Sequence, residues 1–441
     1  MNDHHCRQIS EELGTFIKNS PTAFHAVAEI SRMLEGRGFT ELQEAEHWDI
    51  QPGGKYYVTR NQSSLIALDL GTDLTDSHFQ ITASHSDSPA FKVKEHALLE
   101  VKGHYTQLNT EGYGGMLCAP WFDRPLSLAG RAIVREGGTY RARLLDFDRD
   151  LLMIPSVAIH MNRAVNEGTS FNKQIDMLPL FGGRRIGETE FSDMVAAELG
   201  VTADQVCGTD LFVYNRMEPS IWGAENEFFS APRLDDLQCA YGTLIGFLHS
   251  AEHRHINVYA CFDNEEVGSG TKQGAASTFL QDVLKRTCRA LGGTEEDYHC
   301  MTASSFMVSC DNAHAVHPNH PEKTDAENCV YMNEGVVIKA HAGQKYTSDG
   351  VSIALMRQIC SRAGVPVQYF ANRSDAAGGS TLGNIAMSHV SMNCVDIGMP
   401  QLAMHSPCET TGIRDTEYLI RTAKEFYSTG IRMGSHSFSI N

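Results

Sequence analysis

The sequence predicts an α/β fold interrupted by a β-rich insertion, and three observations carry that expectation. Residues 15–90 alternate helical and strand patterning. Residues 91–229 turn to short strands punctuated by turn residues, and from Leu234 onward the helix–strand alternation returns. The outer pieces, 1–90 and 230–441, are expected to build one sheet covered by helices on both faces, with 91–229 as a separate β-rich domain.

The elements follow in order. Phe24, Val27, Ile30 and Leu34 recur at helical spacing between Thr22 and Arg37, and Gly36 and Gly38 end the run. Ser64 to Leu70 and Phe79 to Ala83 read as short buried strands. AIVREGGTYRARLL reads as a hairpin about Gly137-Gly138. In LDDLQCAYGTLIGFLHSAEH, residues Leu237, Tyr241, Leu244 and Leu248 share one helical face. INVYACF, SSFMVSC and VPVQYFA read as further strands, and residues 380–390 and 413–427 as helices.

Bulk composition narrows the function. A chain of 441 residues with 42% hydrophobic and 20% charged residues has the balance of a globular protein with a large core. No window approaches the roughly eighteen unbroken apolar residues of a membrane span, and MNDHHCRQISEELG lacks the basic-then-apolar pattern of a secretory signal. A formal charge of −18 argues against nucleic acid and anionic membrane surfaces as partners. The twelve cysteines include no C-x-x-C pair, which fits reduced thiols and a cytoplasmic location.

In open α/β sheets ligands bind beyond the carboxyl ends of the strands. ITAS is followed by His85-Ser86-Asp87, NVYACFDN by Glu265-Glu266, FMVSC by Asp311, and QLAM by His405. Asp235-Asp236 stand immediately before the helix that begins near Leu237. Imidazole nitrogen and carboxylate oxygen are the donors that zinc, cobalt or manganese accept. A carboxylate can bridge two such ions, and in a His-x-Asp pair the acid can fix the imidazole's orientation. Of two adjacent glutamates, one can ligate while the other moves a proton. Each residue has a plainer alternative: a hydrogen-bonded buried histidine, a helix N-cap at Asp235, an Asx turn at Asp311, a solvated edge at Glu265-Glu266. Their joint placement at strand ends favours the metal site. His317-Pro-Asn-His320 has metal-like spacing but reads as a surface loop.

With these residues in view, the chain resembles the aspartyl aminopeptidase family of dinuclear metallo-aminopeptidases along nearly its full length. The resemblance rests on SPTAFHAV, ASHSDSP, APRLDDL, DNEEVGS, SCDNAHAVHPN, GVVIKAHAGQKY and QLAMHS. It implies a three-layer α/β/α zinc-peptidase-like domain with a mixed sheet, in which the insertion 91–229 mediates dimer contacts. It implies two divalent ions per subunit, zinc foremost, with His85 and Asp311 on one, Glu266 and His405 on the other, and Asp235 bridging. Asp87 would orient His85, and Glu265 would act as general base. His160, in IPSVAIHMNR, would reach a neighbouring subunit's site and stabilise the oxyanion, while Lys339 and Tyr346 would contact an acidic substrate side chain. The implied assembly is a homo-oligomer, a dodecamer, acting on peptides. The chain departs from the family at SDAAGGSTLG, where Ala377 and Gly378 replace a Pro-Cys pair, and at Thr22-Ala23. Two rival functions are a dinuclear amidase or deacylase acting on a modified small molecule, and a non-catalytic binding or cargo protein. The second would be expected to have lost a ligand or the base, and this chain has kept them.

Overall fold

The computed structural model describes residues 3–74, 77–434 and 436–441. Its largest sheet has nine strands, in the spatial order Thr40–Glu41, Lys55–Arg60, Ser64–Leu70, Ile256–Phe262, Phe79–His85, Phe306–Cys310, Asn393–Gly398, Val336–Lys339 and Val367–Phe370. The four central strands, Ile256–Phe262 to Asn393–Gly398, run parallel, and the flanking Ser64–Leu70 and Val336–Lys339 run antiparallel to them, so the sheet is mixed.

Side-chain alternation places a separate core on each face. Tyr259 and Cys261 point into one, beneath helices Leu234–Leu248, Gly350–Ala363 and Asp415–Ser428. Val258, Ala260 and Phe262 point into the other, against Phe279, Val283 and Leu284 of helix Phe279–Ala290. The three-layer α/β/α expectation holds. Burial on both faces is why these strands read as unbroken apolar runs in sequence.

A six-stranded antiparallel sheet spans Ala90–Val101, Tyr105–Tyr113, Leu126–Glu136, Thr139–Asp146, Leu180–Gly182 and Val206–Asn215. It has its own core, to which Phe191, Val195 and Leu199 of helix Glu188–Leu199 contribute. The hairpin pairs Glu136 with Thr139 across Gly137-Gly138, as its sequence predicts. A five-stranded sheet gathers Ser220–Trp222, Phe228–Ala231, Glu409–Gly412, Pro400–Leu402 and Ala313–His314. It pins the segments that carry Asp235, His405 and Asp311.

The helix expected over 380–390 shrinks to Leu382–Ala386. Gly383 donates its N–H to Ser309 Oγ and Thr381 donates to Asp396, so tertiary hydrogen bonds replace the first helical turn. Among the described residues no helix is long and apolar enough to cross a membrane.

Candidate metal centre

Where the central parallel strands end, the sheet delivers histidine and carboxylates to one point. His85 closes the strand Phe79–His85, Asp311 follows Phe306–Cys310, and Glu265 and Glu266 form a single turn after Ile256–Phe262. Asp235 comes from the start of helix Leu234–Leu248, but its own backbone is not helical (φ −85°, ψ 106°) and its peptide bond to Asp236 is cis. Its carboxylate caps no backbone N–H of the helix and lies instead between two imidazoles, so the N-cap alternative is not taken up.

That carboxylate is the geometric centre. Its Oδ1 stands 3.5 Å from His85 Nε2 and its Oδ2 3.3 Å from His405 Nε2. His405 Nε2 is also 3.4 Å from Glu266 Oε2. Potential ligand atoms of His85, Asp235, Asp236 and Asp311 lie within 4.8 Å of one another; so do those of Asp235, Glu266 and His405, and those of His85, Glu265 and Glu266.

Hydrogen bonds fix which imidazole nitrogen faces inward. His85 Nδ1–H donates to the Asp87 carbonyl oxygen at 3.0 Å, with Asp87 Oδ1 3.4 Å away, so Nε2 is left for the centre. The Asp87 carboxylate also accepts the backbone N–H groups of Glu265 (3.1 Å) and Glu266 (3.2 Å), which holds the glutamate turn in place.

The site fits cations that the fold itself does not provide. Asp235 Oδ1, Asp236 Oδ1 and Glu266 Oε1 are buried without a hydrogen-bond partner, a costly arrangement for carboxylate oxygens unless an ion meets them. Electrostatics agree. Burial, with repulsion from neighbouring carboxylates, pushes Glu265 up to about 7 and Glu266 well above its usual range. Burial raises Asp311 too, although Lys339 opposes it. Asp235 runs the other way: burial would raise it, but the His405 and His85 imidazoles beside it hold it low. Burial likewise opposes protonation of both imidazoles, yet Asp235 pulls them above their ordinary values. Divalent ions would relieve this excess of negative charge, and oxygen and imidazole donors suit zinc.

The remaining sequence-predicted residues fall elsewhere. Lys339 is buried, 2% exposed, beneath Asp311: its Nζ donates to the Asp311 carbonyl oxygen at 2.7 Å and stands 3.9 Å from Asp311 Oδ1. Tyr346 is buried beside it, with the Lys339 ammonium 5.2 Å from its ring centroid. His160 lies outside the cluster, in an exposed segment where Met161 is 83% exposed. His317 and His320 are exposed, as a surface loop requires.

Two residues escaped the sequence reading. Glu409, 1% exposed, accepts the Asp235 N–H on Oε2 (2.9 Å) and the His405 N–H on Oε1 (2.7 Å), clamping both ligand segments. Tyr113 donates its hydroxyl to Asp87 Oδ2 at 2.6 Å. Neither sits at the end of a central strand, the signal that revealed the others.

Comparison with known proteins agrees with this geometry. The family model described as aminopeptidase I zinc metalloprotease (M18) matches residues 16–427. A Clostridium acetobutylicum protein named Probable M18 family aminopeptidase 2 is 44% identical over 427 residues, spanning 96% of this chain and 99% of that one. Among solved structures, one described as the Ape4 and Nbr1 complex by cryo-EM superposes with TM-score 0.93 at 33% identity, covering 97% of this chain and 86% of that one. Another, described as the S. cerevesiae mApe1 dodecamer, superposes with TM-score 0.84 at 26% identity, over 95% of this chain and 96% of that one. The chain belongs to the M18 family of zinc metalloproteases and is a metallo-aminopeptidase, a hydrolase of peptide bonds.

Proposed function

We infer that the enzyme releases single N-terminal residues using two divalent ions bridged by Asp235, with His85 and Asp311 on one and Glu266 and His405 on the other. The observation that carries this reading is the pair of Asp235 oxygens, each facing the Nε2 of a different histidine at 3.5 and 3.3 Å. Zinc is the first choice, with cobalt or manganese compatible with the same donors. When bound, such ions polarise the scissile carbonyl and lower the pKa of water from 15.7 to about 7.

The chain's own groups do the rest. Glu265, pushed up to about 7 by burial, accepts the proton of the attacking water and returns it to the leaving amine. Asp87 holds Glu265 in place through its N–H and His85 through Nδ1. His160 of a second copy of the chain would steady the oxyanion. The exposed apolar side chains around it, Val157, Ile159 and Met161, support a homo-oligomer, by likeness a dodecamer, in which the six-stranded sheet (domain 91–229) makes dimer contacts. Twelve free cysteines, Cys207 and Cys300 exposed among them, support a reducing, cytoplasmic setting.

Peptides with an acidic N-terminal residue are the preferred substrates in this reading, which places the chain in the aspartyl subgroup. A cavity of about 340 Å³ next to His405, lined by Met404, His314 and Lys323 and by no carboxylate side chain, supports that preference in a chain of charge −18, although Arg373 in its wall is already paired with Asp375 at 2.8 Å. The buried amide nitrogens of Asn372 and Gln401 at its wall lack partners and could donate to a substrate carboxylate.

The test is hydrolysis of Asp-, Glu-, Leu- and Lys-initiated peptides with and without chelator, together with Glu265→Gln. Turnover should vanish with chelator and favour the acidic peptides. Glu265→Gln should keep its metal while losing about 100- to 10,000-fold in kcat. Equal rates across the panel would remove the acidic preference, and near-wild-type kcat in the variant would remove the base.

A further inference from the structure

The six-stranded sheet touches the metal-ligating residues at the end of its strand Tyr105–Tyr113. Tyr113 donates to Asp87 Oδ2 at 2.6 Å and accepts from Asn264 Nδ2 at 2.8 Å. Gly114, at φ +74°, lies so close to Glu266 that an added Cβ would stand 3.1 Å from Glu266 Cβ. An added Cβ at Gly115 would stand 3.9 Å from His405 Nδ1, and the Leu117 N–H donates to the His405 carbonyl oxygen at 3.1 Å. Tyr113, Gly114, Gly115 and Leu117 thus approach Asp87, Glu266 and His405.

We propose that residues 113–117 are a positioning strap by which the six-stranded sheet sets the geometry of the metal centre, with Tyr113 as its principal positioning residue. The Tyr113 ring packs edge-on against Phe212 of Val206–Asn215, the strand on the far side of Ala90–Val101 in the same sheet, with centroids 5.7 Å apart, which ties the hydroxyl to the sheet. The Asp87 carboxylate it meets also holds the N–H groups of Glu265 and Glu266, and the Asp87 carbonyl holds the His85 ring. A shift of Tyr113 therefore moves one histidine ligand and the glutamate turn together. At the other end of the strap, the Leu117 N–H holds the backbone of His405, whose Nε2 faces Asp235 and Glu266. The sheet is in this way part of the catalytic apparatus, beyond any role in contacts between subunits.

The strap rests on the metallo-aminopeptidase reading of the site, but its test reads zinc directly. Zinc affinity of the purified, metal-stripped full chain is measured by competition with a chromophoric chelator, alongside kcat, KM and thermal midpoint. Tyr113→Phe removes only the hydroxyl and should weaken zinc binding or kcat roughly 10- to 100-fold, with KM changed less than about two-fold. Gly114→Ala should weaken zinc similarly by pressing on Glu266. Gly137→Ala is the control: it lies in a hairpin of the same sheet at φ +63° with nothing within 4 Å, so it carries a similar backbone cost away from the site. It should lower the thermal midpoint while leaving zinc affinity unchanged. Wild-type zinc affinity and kcat in a folded Tyr113→Phe protein overturns the proposal, as does an equal loss of zinc in Gly137→Ala and Gly114→Ala. Should Glu265→Gln keep its turnover while Tyr113→Phe loses zinc, the catalytic assignment fails and the strap stands.

Discussion

Glu409→Gln isolates the force that holds the two halves of the centre together. Glu409 spends one oxygen on the Asp235 N–H and the other on the His405 N–H, at 2.9 and 2.7 Å, with 1% of its surface exposed. His405 is held at φ 66° and Ala403 at φ 57°, a left-handed conformation that non-glycine residues rarely adopt, so the clamp works against a local preference. Glutamine keeps the shape but offers one acceptor, and its NH₂ must face the second N–H. One buried donor then loses its partner, at about 1–3 kcal/mol. A competing gain is relief of charge repulsion with Asp235. That gain is offset, because although burial pushes the Glu409 carboxyl up, the two N–H groups aimed at its oxygens favour the ionised form. The hydrogen-bond loss therefore wins. Urea unfolding of the metal-free chain should show a loss of about 1–3 kcal/mol, and chelator competition should show zinc affinity falling about ten-fold or more, since each 1.4 kcal/mol is a factor of ten. A Glu409→Gln protein with wild-type urea midpoint and wild-type zinc affinity would show that the clamp contributes nothing.

Lys339→Met should destabilise the protein by about 3–5 kcal/mol, because it strands the buried Asp311 group that the ammonium serves. Its effect on turnover should be the same for Asp- and Leu-initiated peptides; a rise in KM confined to acidic peptides would show instead that Lys339 contacts the substrate. His255 is buried and packed against His78 and His253, and burial first, then repulsion from those rings, pushes it down to about 3. Below about pH 6.5 the unfolded chain binds a proton that the folded ring refuses, so stability falls as pH drops, by about 2 kcal/mol at pH 5. His255→Gln should flatten that slope in urea titrations at pH 8 and pH 5, and an unchanged slope would refute the assignment.

The parts of the site legible in the sequence are those a strand end announces. His85, Asp311 and Glu265-Glu266 each follow a doubly buried strand, so an apolar run that gives way to a ligand residue marks them. Asp235 was visible only by residue type, since its position before an apolar helix suits an N-cap equally well. What separates the two is that the carboxylate lies between His85 and His405 instead of capping the helix, and no spacing rule encodes that placement. Glu409 and Tyr113 were silent for a different reason. Each has a partner outside its own segment, 174 residues away for Glu409 and Asp235 and 26 for Tyr113 and Asp87, and local patterning cannot report such a pairing. Lys339 shows the converse: the resemblance implies a substrate contact, and local patterning gave no sign that its Nζ donates to the Asp311 carbonyl oxygen.

Gathering Asp87, Asp235, Asp236, Glu265, Glu266, Asp311 and Glu409 around two imidazoles and one ammonium is unfavourable by itself, so the protein needs a reason for them to stay. The structure answers with backbone amides aimed from one ligand segment to the next. Asp87 takes the N–H groups of the glutamate turn, Glu409 those of Asp235 and His405, and Asp236 that of His85. Each such bond ties the backbone of one site segment to the carboxylate of another. Asp235 Oδ1, Asp236 Oδ1 and Glu266 Oε1 are left buried without a hydrogen-bond partner. The division follows from chemistry: amides satisfy the supporting oxygens, and a cation meeting the rest would make metal affinity and folding stability two readings of the same free energy.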